Sequence, residues 1–275
     1  MCDNQNYILI VIVLYNENLY NTNTYKTLIK GTECNLYIYD NSPKAQHAAT
    51  EFGDNWKYIS DTSNSGLSYA YNRAAEYALE NGYEWMLLTD QDTTFAPNII
   101  DKYRKAINKY PDIKLFAPLV SVNDNNQFLS PSRANPLRAS ISNNIPTGKQ
   151  SLFDYAPINS GMMINVKAYI DVGGYNEMVK LDFADYQFIS RFRQQYNTFY
   201  VINAICLQEF SNKVQEPQQK LHRFIKFCES LKYYQSITKL EALKIFLVVL
   251  RRTCSLSLET KTITPIKIFI TKYIL

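Results

Sequence analysis

The stretch Glu84-Trp-Met-Leu-Leu-Thr-Asp-Gln-Asp92 sets four apolar residues before two carboxylates that stand one residue apart. A short apolar run bounded by turn residues suits a strand buried on both faces. Glu84–Asp90 therefore reads as a strand that ends in an acid, followed by the polar turn Asp90-Gln-Asp-Thr. The same arrangement occurs in Asn35-Leu-Tyr-Ile-Tyr-Asp40, which runs into Asn-Ser-Pro. Open α/β sheets bind ligands outside the carboxyl ends of their strands. Asp40, Asp90 and Asp92 are thus the first candidate site residues.

Around these two strands the pattern alternates. Tyr7–Leu14 is a continuous β-branched run, and Trp56–Ser60 is a weaker strand. Leu67–Asn81 reads as a helix, with Tyr71, Ala74, Ala75, Ala78 and Leu79 on one stripe and Asn81-Gly82 as its stop. Pro97–Tyr110 is a second helix with proline in its first turn, and Lys114–Val120 a further strand. This spacing predicts an α/β fold with a doubly wound, mostly parallel sheet. Val122–Gln150 is polar and reads as a long loop. Ile158–Val166 returns to strand character. Ala168–Val172 is a short helix closed by Gly173-Gly174, and Asp182–Gln195 is a helix with an acidic start. From Gln215 the chain is helical and amphipathic to its end, with Pro217 and Pro265 as its breaks.

Composition narrows the class. With 275 residues, 46% hydrophobic and 20% charged, the chain is an ordinary globular protein of one or two domains. Its five cysteines are widely spaced and form no Cys-x-x-Cys pair, which argues against a zinc site or a disulfide scaffold. The first residues lack a basic leader region, and Tyr7–Leu14 is too short to span a bilayer. The expected location is cytoplasmic. The net charge is +4, but Lys239–Leu275 holds seven basic residues against two acidic ones. That places +5 in the tail and −1 in the remainder. A nucleic-acid binder would show a basic body, so no nucleic-acid partner is expected. A basic, apolar end fits either peripheral contact with the inner face of a membrane or a helical cap packed on the core or on a partner subunit, including a homodimer.

Three constellations bear chemistry. Asp90 and Asp92, in one turn, can converge on a hard cation such as Mg2+ or Mn2+ that keeps open positions for diphosphate oxygens. Asn64-Ser-Gly66 opens a helix, where glycine permits close backbone approach and the helix terminus favours a diphosphate. A simple helix cap is the other reading. Asp182 and Asp185 begin a helix, and either carboxylate could serve as a general base. Alternatively they favour the positive helix end and pair with Arg191 and Arg193.

Taken in order, these blocks resemble glycosyltransferase family 2, and within it the rhamnosyltransferase-like branch. The resemblance rests on Val13-Leu-Tyr-Asn-Glu17, Tyr39-Asp-Asn-Ser42, Asn64-Ser-Gly-Leu-Ser-Tyr-Ala-Tyr-Asn72 and Leu87-Leu-Thr-Asp-Gln-Asp92. It continues through Asn159-Ser-Gly-Met-Met-Ile164, Gly173-Gly-Tyr-Asn-Glu177 and Leu181-Asp-Phe-Ala-Asp185, with Arg191 beyond. It covers residues 7 to about 211. It implies a GT-A fold, that is, a Rossmann-like nucleotide-diphospho-sugar transferase with a mixed, mostly parallel sheet flanked by helices. The catalytic domain would be 1–211, with a nucleotide half to about 120 and an acceptor half from about 150. Residues 212–275 would form a helical C-terminal extension. The implied reaction is inverting, single-displacement, metal-dependent transfer from a UDP- or dTDP-sugar to a saccharide or lipid-linked acceptor, in bacterial surface polysaccharide synthesis. The resemblance assigns Tyr15, Asn16, Asp40, Asn64, Gly66, Asn72 and Asp90 to the nucleotide, and Asp92 with Asp90 to the metal. It makes Asp185 the base, with Asp182 as second candidate, and puts Ser160, Gly161 and Arg191 on the acceptor side.

One departure stands out. The family often has a histidine after the next strand that completes the metal site. The matching stretch here is Cys206-Leu-Gln-Glu-Phe-Ser211, with Gln208 or Glu209 in that place. Either fewer protein ligands hold the ion, or Glu209 replaces the imidazole, since Mg2+ and Mn2+ prefer oxygen. His47 and His222, the only histidines, are expected on the surface. A nucleotidylyltransferase would need a glycine- and lysine-rich loop near the N-terminus, and Val11–Leu19 has none. A catalytically inactive binding scaffold of the same fold is the remaining alternative.

Overall fold

The computed structural model describes residues 8–122, 127–134, 142–180, 182–208 and 217–275. In chain order the strands are β1 (Ile8–Leu14), β2 (Asn35–Asp40), β3 (Trp56–Ser60), β4 (Trp85–Asp90), β5 (Thr93–Thr94), β6 (Leu115–Ser121), β7 (Phe128–Ser130), β8 (Ser132–Arg133), β9 (Gly148–Ser151), β10 (Tyr155–Ala156), β11 (Met162–Asn165) and β12 (Thr198–Gln208). The helices are α1 (Leu67–Glu80), α2 (Ile99–Lys109), α3 (Val166–Asp171), α4 (Ala184–Phe192), α5 (Pro217–Lys232), α6 (Lys239–Thr260) and α7 (Thr264–Ile268), the last running on into a wide turn, Phe269–Ile274.

The main sheet has the order β3-β2-β1-β4-β11-β6-β12-β5, with β7 on β6 and β9 on β12. The block β3-β2-β1-β4 is parallel throughout. Then β11 enters antiparallel between β4 and β6, and β12 resumes a parallel pairing with β6. The sheet is thus mixed and mostly parallel in its core, as the α/β reading requires. Successive side chains of a strand point to opposite faces. In β1, Leu9 and Val11 join one buried cluster with α1, while Ile10, Ile12 and Leu14 join the other with α2. An all-apolar run is needed because both faces are covered.

Several expectations need correction. The strand placed at Ile158–Val166 is only Met162–Asn165, because Asn159–Gly161 forms a turn at its start. The loop expected over Val122–Gln150 contains β7, β8 and the start of β9, while residues 123–126 and 135–141 lie outside the described residues. In the C-terminal part, Pro217 and Pro265 do not break helices but begin them, at the first turns of α5 and α7. There the missing N–H has no helical partner to lose. The three helices share a cluster of their own around Phe224, Cys228, Leu231, Ile245, Val249 and Leu256, against which Phe183 packs.

Gly66 shows how the start of α1 is locked to the segment before α4. It caps α1 at φ 103°, and a Cβ there would lie 2.9 Å from Lys180 Cβ. Leu67 N donates to Lys180 O at 3.0 Å. Replacing Gly66→Ala should destabilise the fold by about 2 kcal/mol, through left-handed backbone strain and the clash. Thermal unfolding measures this, and an unchanged melting temperature would show that the segment around Lys180 can give way.

Candidate active site

The site forms where β1, β2 and β4 end and where the turn before β11 and the start of α4 meet them. Its floor is Asp90. Ser160 Oγ donates to Asp90 Oδ2 across the β4–β11 junction. The Tyr71 hydroxyl from α1 faces the same carboxylate but makes no hydrogen bond of ordinary geometry, and it is otherwise unpartnered. Burial raises the pKa of Asp90, opposed by the Ser160 and Tyr71 hydroxyls.

Asp185 faces it from the first turn of α4. Tyr186 N donates to Asp185 Oδ1 at 2.7 Å. Its carboxyl is pushed up to about 6, first by burial and then by the charges of Asp90 and Asp182, against the pull of the Tyr186 amide. Asp182, three residues earlier, turns toward the C-terminal helices. Burial raises its pKa, while Arg223 and Arg252 lower it, and Arg223 Nη2 lies 3.8 Å from its Oδ1. Two acids three residues apart thus have different surroundings.

Asp92 sits on the loop beyond Asp90, and Gln208 from the end of β12 reaches it. Gln208 Nε2 donates to Asp92 Oδ1 at 2.5 Å, and Gln208 Oε1 accepts from Thr93 Oγ1 at 2.7 Å. An amide therefore meets the Asp90–Asp92 loop at the position where the resemblance points to an imidazole. Glu209 lies outside the described residues. Among the described residues no three His, Cys, Asp or Glu side chains converge on one point. The donors on offer are carboxylate oxygens on one loop, which fits a hard divalent cation that leaves its other positions to diphosphate oxygens. Asp90, whose direct side-chain partner among the described residues is the Ser160 hydroxyl and whose pKa burial raises, is the kind of charge such a cation stabilises.

Gln91, between the two acids, was not singled out from the sequence. Its Oε1 accepts from Tyr15 N at 2.8 Å, and its Nε2 donates to Tyr15 O at 3.4 Å. Only an amide can both give and accept in this way. It pins the end of β1 to the metal loop and leaves the Tyr15 ring exposed. Asn16 takes a left-handed conformation, and its N donates to Ser42 Oγ at 2.8 Å. Asp40 is fully buried beneath this turn. It accepts from Ser42 N at 3.0 Å, Gln46 N at 2.7 Å and Tyr58 Oη at 2.6 Å. Asp61, at the end of β3, is a further acid that sequence reading passed over. Burial works to raise it, but hydrogen bonds from Ser63, Ser65 and Tyr39 prevail and hold it at about 2. Asn64 follows in a left-handed turn over it, with Asn64 N donating to Asp61 O at 3.2 Å.

The geometry gives four of the expected site residues partners within the protein, and it corrects the surface placing of His47. The close approach that Gly66 permits is used by Lys180, and the Leu67 amide donates to the same residue. The Asn72 amide is spent within the protein: its Oδ1 accepts from Tyr169 Oη at 2.7 Å and Tyr175 N at 2.8 Å, and its Nδ2 donates to Tyr175 O and Glu177 Oε1, both at 2.9 Å. That is the full capacity of a primary amide. Gly161 packs its bare Cα against Pro118 and Phe95, away from Ser160's carboxylate contact. Arg191 donates to Val172 O at 3.1 Å and Gly174 O at 2.5 Å, so it braces the Gly173-Gly174 turn from within. His47 is buried, not on the surface. Its Nε2 accepts from Leu19 N at 3.0 Å and its Nδ1 meets Glu51 at 3.0 Å, amid Tyr20, Phe52 and Tyr58. His222 is exposed.

Between α4 and α6 lies a cavity of about 250 Å³ lined by Tyr186, Ser190, Arg193, Glu241 and Lys244 together with Ile189 and Leu240. Tyr186, the residue after Asp185, is part of its lining.

Residues 9–172 match the model of glycosyl transferase family 2, and the chain belongs to that family. It is similar to the dTDP-rhamnosyl transferase RfbF of Shigella flexneri, with 27% identity over 191 residues that make up 67% of this chain and 62% of the relative. The chain thus spans somewhat less than two thirds of that relative's length. Its fold is that of the GT-A glycosyltransferases. The mannosyltransferase PcManGT of Pyrobaculum calidifontis, solved with GDP-Man and Mn2+, superposes with a TM-score of 0.55 at 12% identity, over 95% of this chain and 73% of that one. GalNAc-T7 with UDP, GalNAc and Mn2+ gives a TM-score of 0.55 at 13% identity, over 87% and 54% of the two chains.

Two outcomes follow. Asn72→Ala orphans the Tyr175 amide and the Tyr169 hydroxyl, and should cost about 2–4 kcal/mol of stability while leaving the nucleotide affinity of the folded protein unchanged. A melting temperature that holds while affinity falls would return Asn72 to the nucleotide. Asp185 binds a proton more readily folded than unfolded, so its contribution to stability is present below its unfolded pKa and is lost as pH rises through about 6. Asp185→Asn should therefore raise the melting temperature by several degrees at about pH 8 and by less at about pH 5. Equal shifts at both pH values would contradict the raised pKa.

Proposed function

We propose that the protein is an inverting glycosyltransferase that moves a sugar from a UDP- or dTDP-sugar to a saccharide or lipid-linked acceptor. The observation that supports it is the opposition of Asp90 and Asp185. Two half-buried carboxylates from distant parts of the chain lie within electrostatic reach, and Asp185 has its pKa pushed up to about 6. A general base works best with a pKa near the operating pH.

In this reading the nucleoside lies over the ends of β1 and β2, against the exposed ring of Tyr15 and the turn that Asn16 and Asp40 shape. Asp40 acts through that turn, since its carboxylate is occupied by it. Asn64 borders the same pocket above Asp61. The diphosphate lies at the Asp90–Asp92 loop. Mg2+ or Mn2+ held by Asp92 and Asp90 would neutralise the charge that builds on the leaving diphosphate. Gln208 orients Asp92 for this from behind. The acceptor enters from the α4–α6 cavity past Ser160 and Tyr186. Its hydroxyl gives its proton to Asp185 as its oxygen bonds to the anomeric carbon. The bond from that carbon to the phosphate oxygen breaks on the opposite face, and the electron pair leaves with the nucleotide diphosphate. One displacement inverts the anomeric centre. Likeness to a dTDP-rhamnosyl transferase favours a dTDP-deoxyhexose as donor and bacterial surface polysaccharide assembly, on the cytoplasmic side, as the setting.

A ligand panel tests this. UDP, dTDP and GDP, each with and without Mn2+, should yield one nucleotide that raises the melting temperature by about 5 °C only with the ion. Asp92→Ala should abolish the rise. With the matching nucleotide-sugar, turnover should climb as pH passes through about 6 and vanish in Asp185→Asn. No response to any nucleotide would overturn the enzyme reading in favour of a catalytically inactive scaffold.

A further inference from the structure

Helix α6 presents a leucine stripe that nothing among the described residues covers. Leu240, Leu243, Leu247, Leu250, Cys254 and Leu258 recur at spacings of three and four. At 3.6 residues per turn they fall within a sector of about 80°. Leu240 is 61% exposed, Leu243 54%, Leu247 39%, Leu250 36% and Leu258 79%, and Cys254 is also exposed. The helix already buries a different face, through Ile245, Val249, Thr253 and Leu256. It thus has two apolar faces, of which the core uses one. Only the upper end of the stripe, at Leu240, touches the α4–α6 cavity.

The rim of the stripe is basic. By the same helical geometry Lys239 flanks it on one side and Lys244 and Arg251 on the other. The acids of α6 are committed elsewhere. Glu241 is buried and accepts from Ser190 Oγ at 2.7 Å, Tyr234 Oη at 2.8 Å and Ile237 N at 2.7 Å. Glu259 is paired with Lys220. The exposed face therefore offers a partner leucine and positive charge.

We propose that this face of α6 rests on an anionic lipid surface, with the helix lying in the plane of the interface. Helices of this kind combine an apolar stripe with lysine and arginine beside it. The helix is about 33 Å long, and no helix among the described residues is long and apolar enough to cross a membrane. Leucine at these spacings also suits a coiled coil with a second copy. A parallel second copy, however, would bring Lys239, Lys244 and Arg251 against their own like, and the two acids of α6, Glu241 and Glu259, are already paired. Anionic headgroups answer all three. The placement would hold the α4–α6 cavity beside the membrane, within reach of an acceptor carried on a lipid.

The test uses the full chain and vesicles. Mixed phosphatidylglycerol and phosphatidylcholine vesicles should carry the protein into the pellet at low ionic strength and release it as salt rises, while pure phosphatidylcholine vesicles should leave it in solution. Leu247→Glu, and separately Lys239→Ser with Arg251→Ser, should each lower vesicle affinity about tenfold or more with the melting temperature unchanged. These side chains are exposed, so folding is not at stake. Failure to bind phosphatidylglycerol vesicles at low ionic strength overturns the proposal. So does a concentration-dependent dimer in sedimentation equilibrium that Leu247→Glu dissolves, because the stripe would then belong to a second copy.

Discussion

The amide of Asn72 is the joint on which the two halves of the site depend. It leaves α1 and takes hold of Tyr175 at both its N–H and its carbonyl. Gly174 must be glycine for this, since a Cβ there would stand 2.5 Å from the amide oxygen. From the other side Arg191, on α4, grips the carbonyls of Val172 and Gly174. One turn is thus held by α1 and α4 together. Because α1 packs on the sheet that ends in Asp90, and α4 begins at Asp185, this turn sets how far apart the two carboxylates stand. With every donor and acceptor of the Asn72 amide engaged, the joint specifies one arrangement rather than many.

What the joint holds together is unfavourable in itself. Partial burial raises the pKa of both Asp90 and Asp185, and the charge of Asp90 raises that of Asp185 further. A protein built for stability alone would not bring two carboxylates together in a partly desolvated space. Strain of this sort marks sites whose ligands supply the missing charge. The surroundings sort the acids by role. Asp61 is held ionised by hydroxyl and amide donors, Asp182 is answered by arginines of the C-terminal helices, and Asp185 has a single amide and a carboxylate neighbour.

The C-terminal helices close this arrangement from outside. Glu241 of α6 reaches into α4 at Ser190, and Arg223 of α5 reaches Asp182. The helical extension therefore forms one wall of the α4–α6 cavity while its far face stays apolar and basic. Any partner that binds that face is mechanically close to α4.

The α/β pattern was legible because it rests on local rules. Burial on both faces demands the continuous apolar runs of β1 and β4, and proline and glycine mark helix ends wherever they fall. The strand-end acids were legible for the same reason, since strand, turn and acid are neighbours in sequence. The internal partners of Asn72, Gly161 and Arg191 were not. Each belongs to a recognisable block, but its partners lie far away in sequence: Tyr175, Pro118 and Gly174 decide what each does. The same holds for Gln91 and Gln208, ordinary amides until Tyr15 and Asp92 are set against them. The sequence by itself determined which elements form and which acids end them, because periodicity and turn chemistry act over a few residues. Only the tertiary structure decided which acid faces which, because the pKa of a buried carboxylate depends on neighbours brought in from other elements.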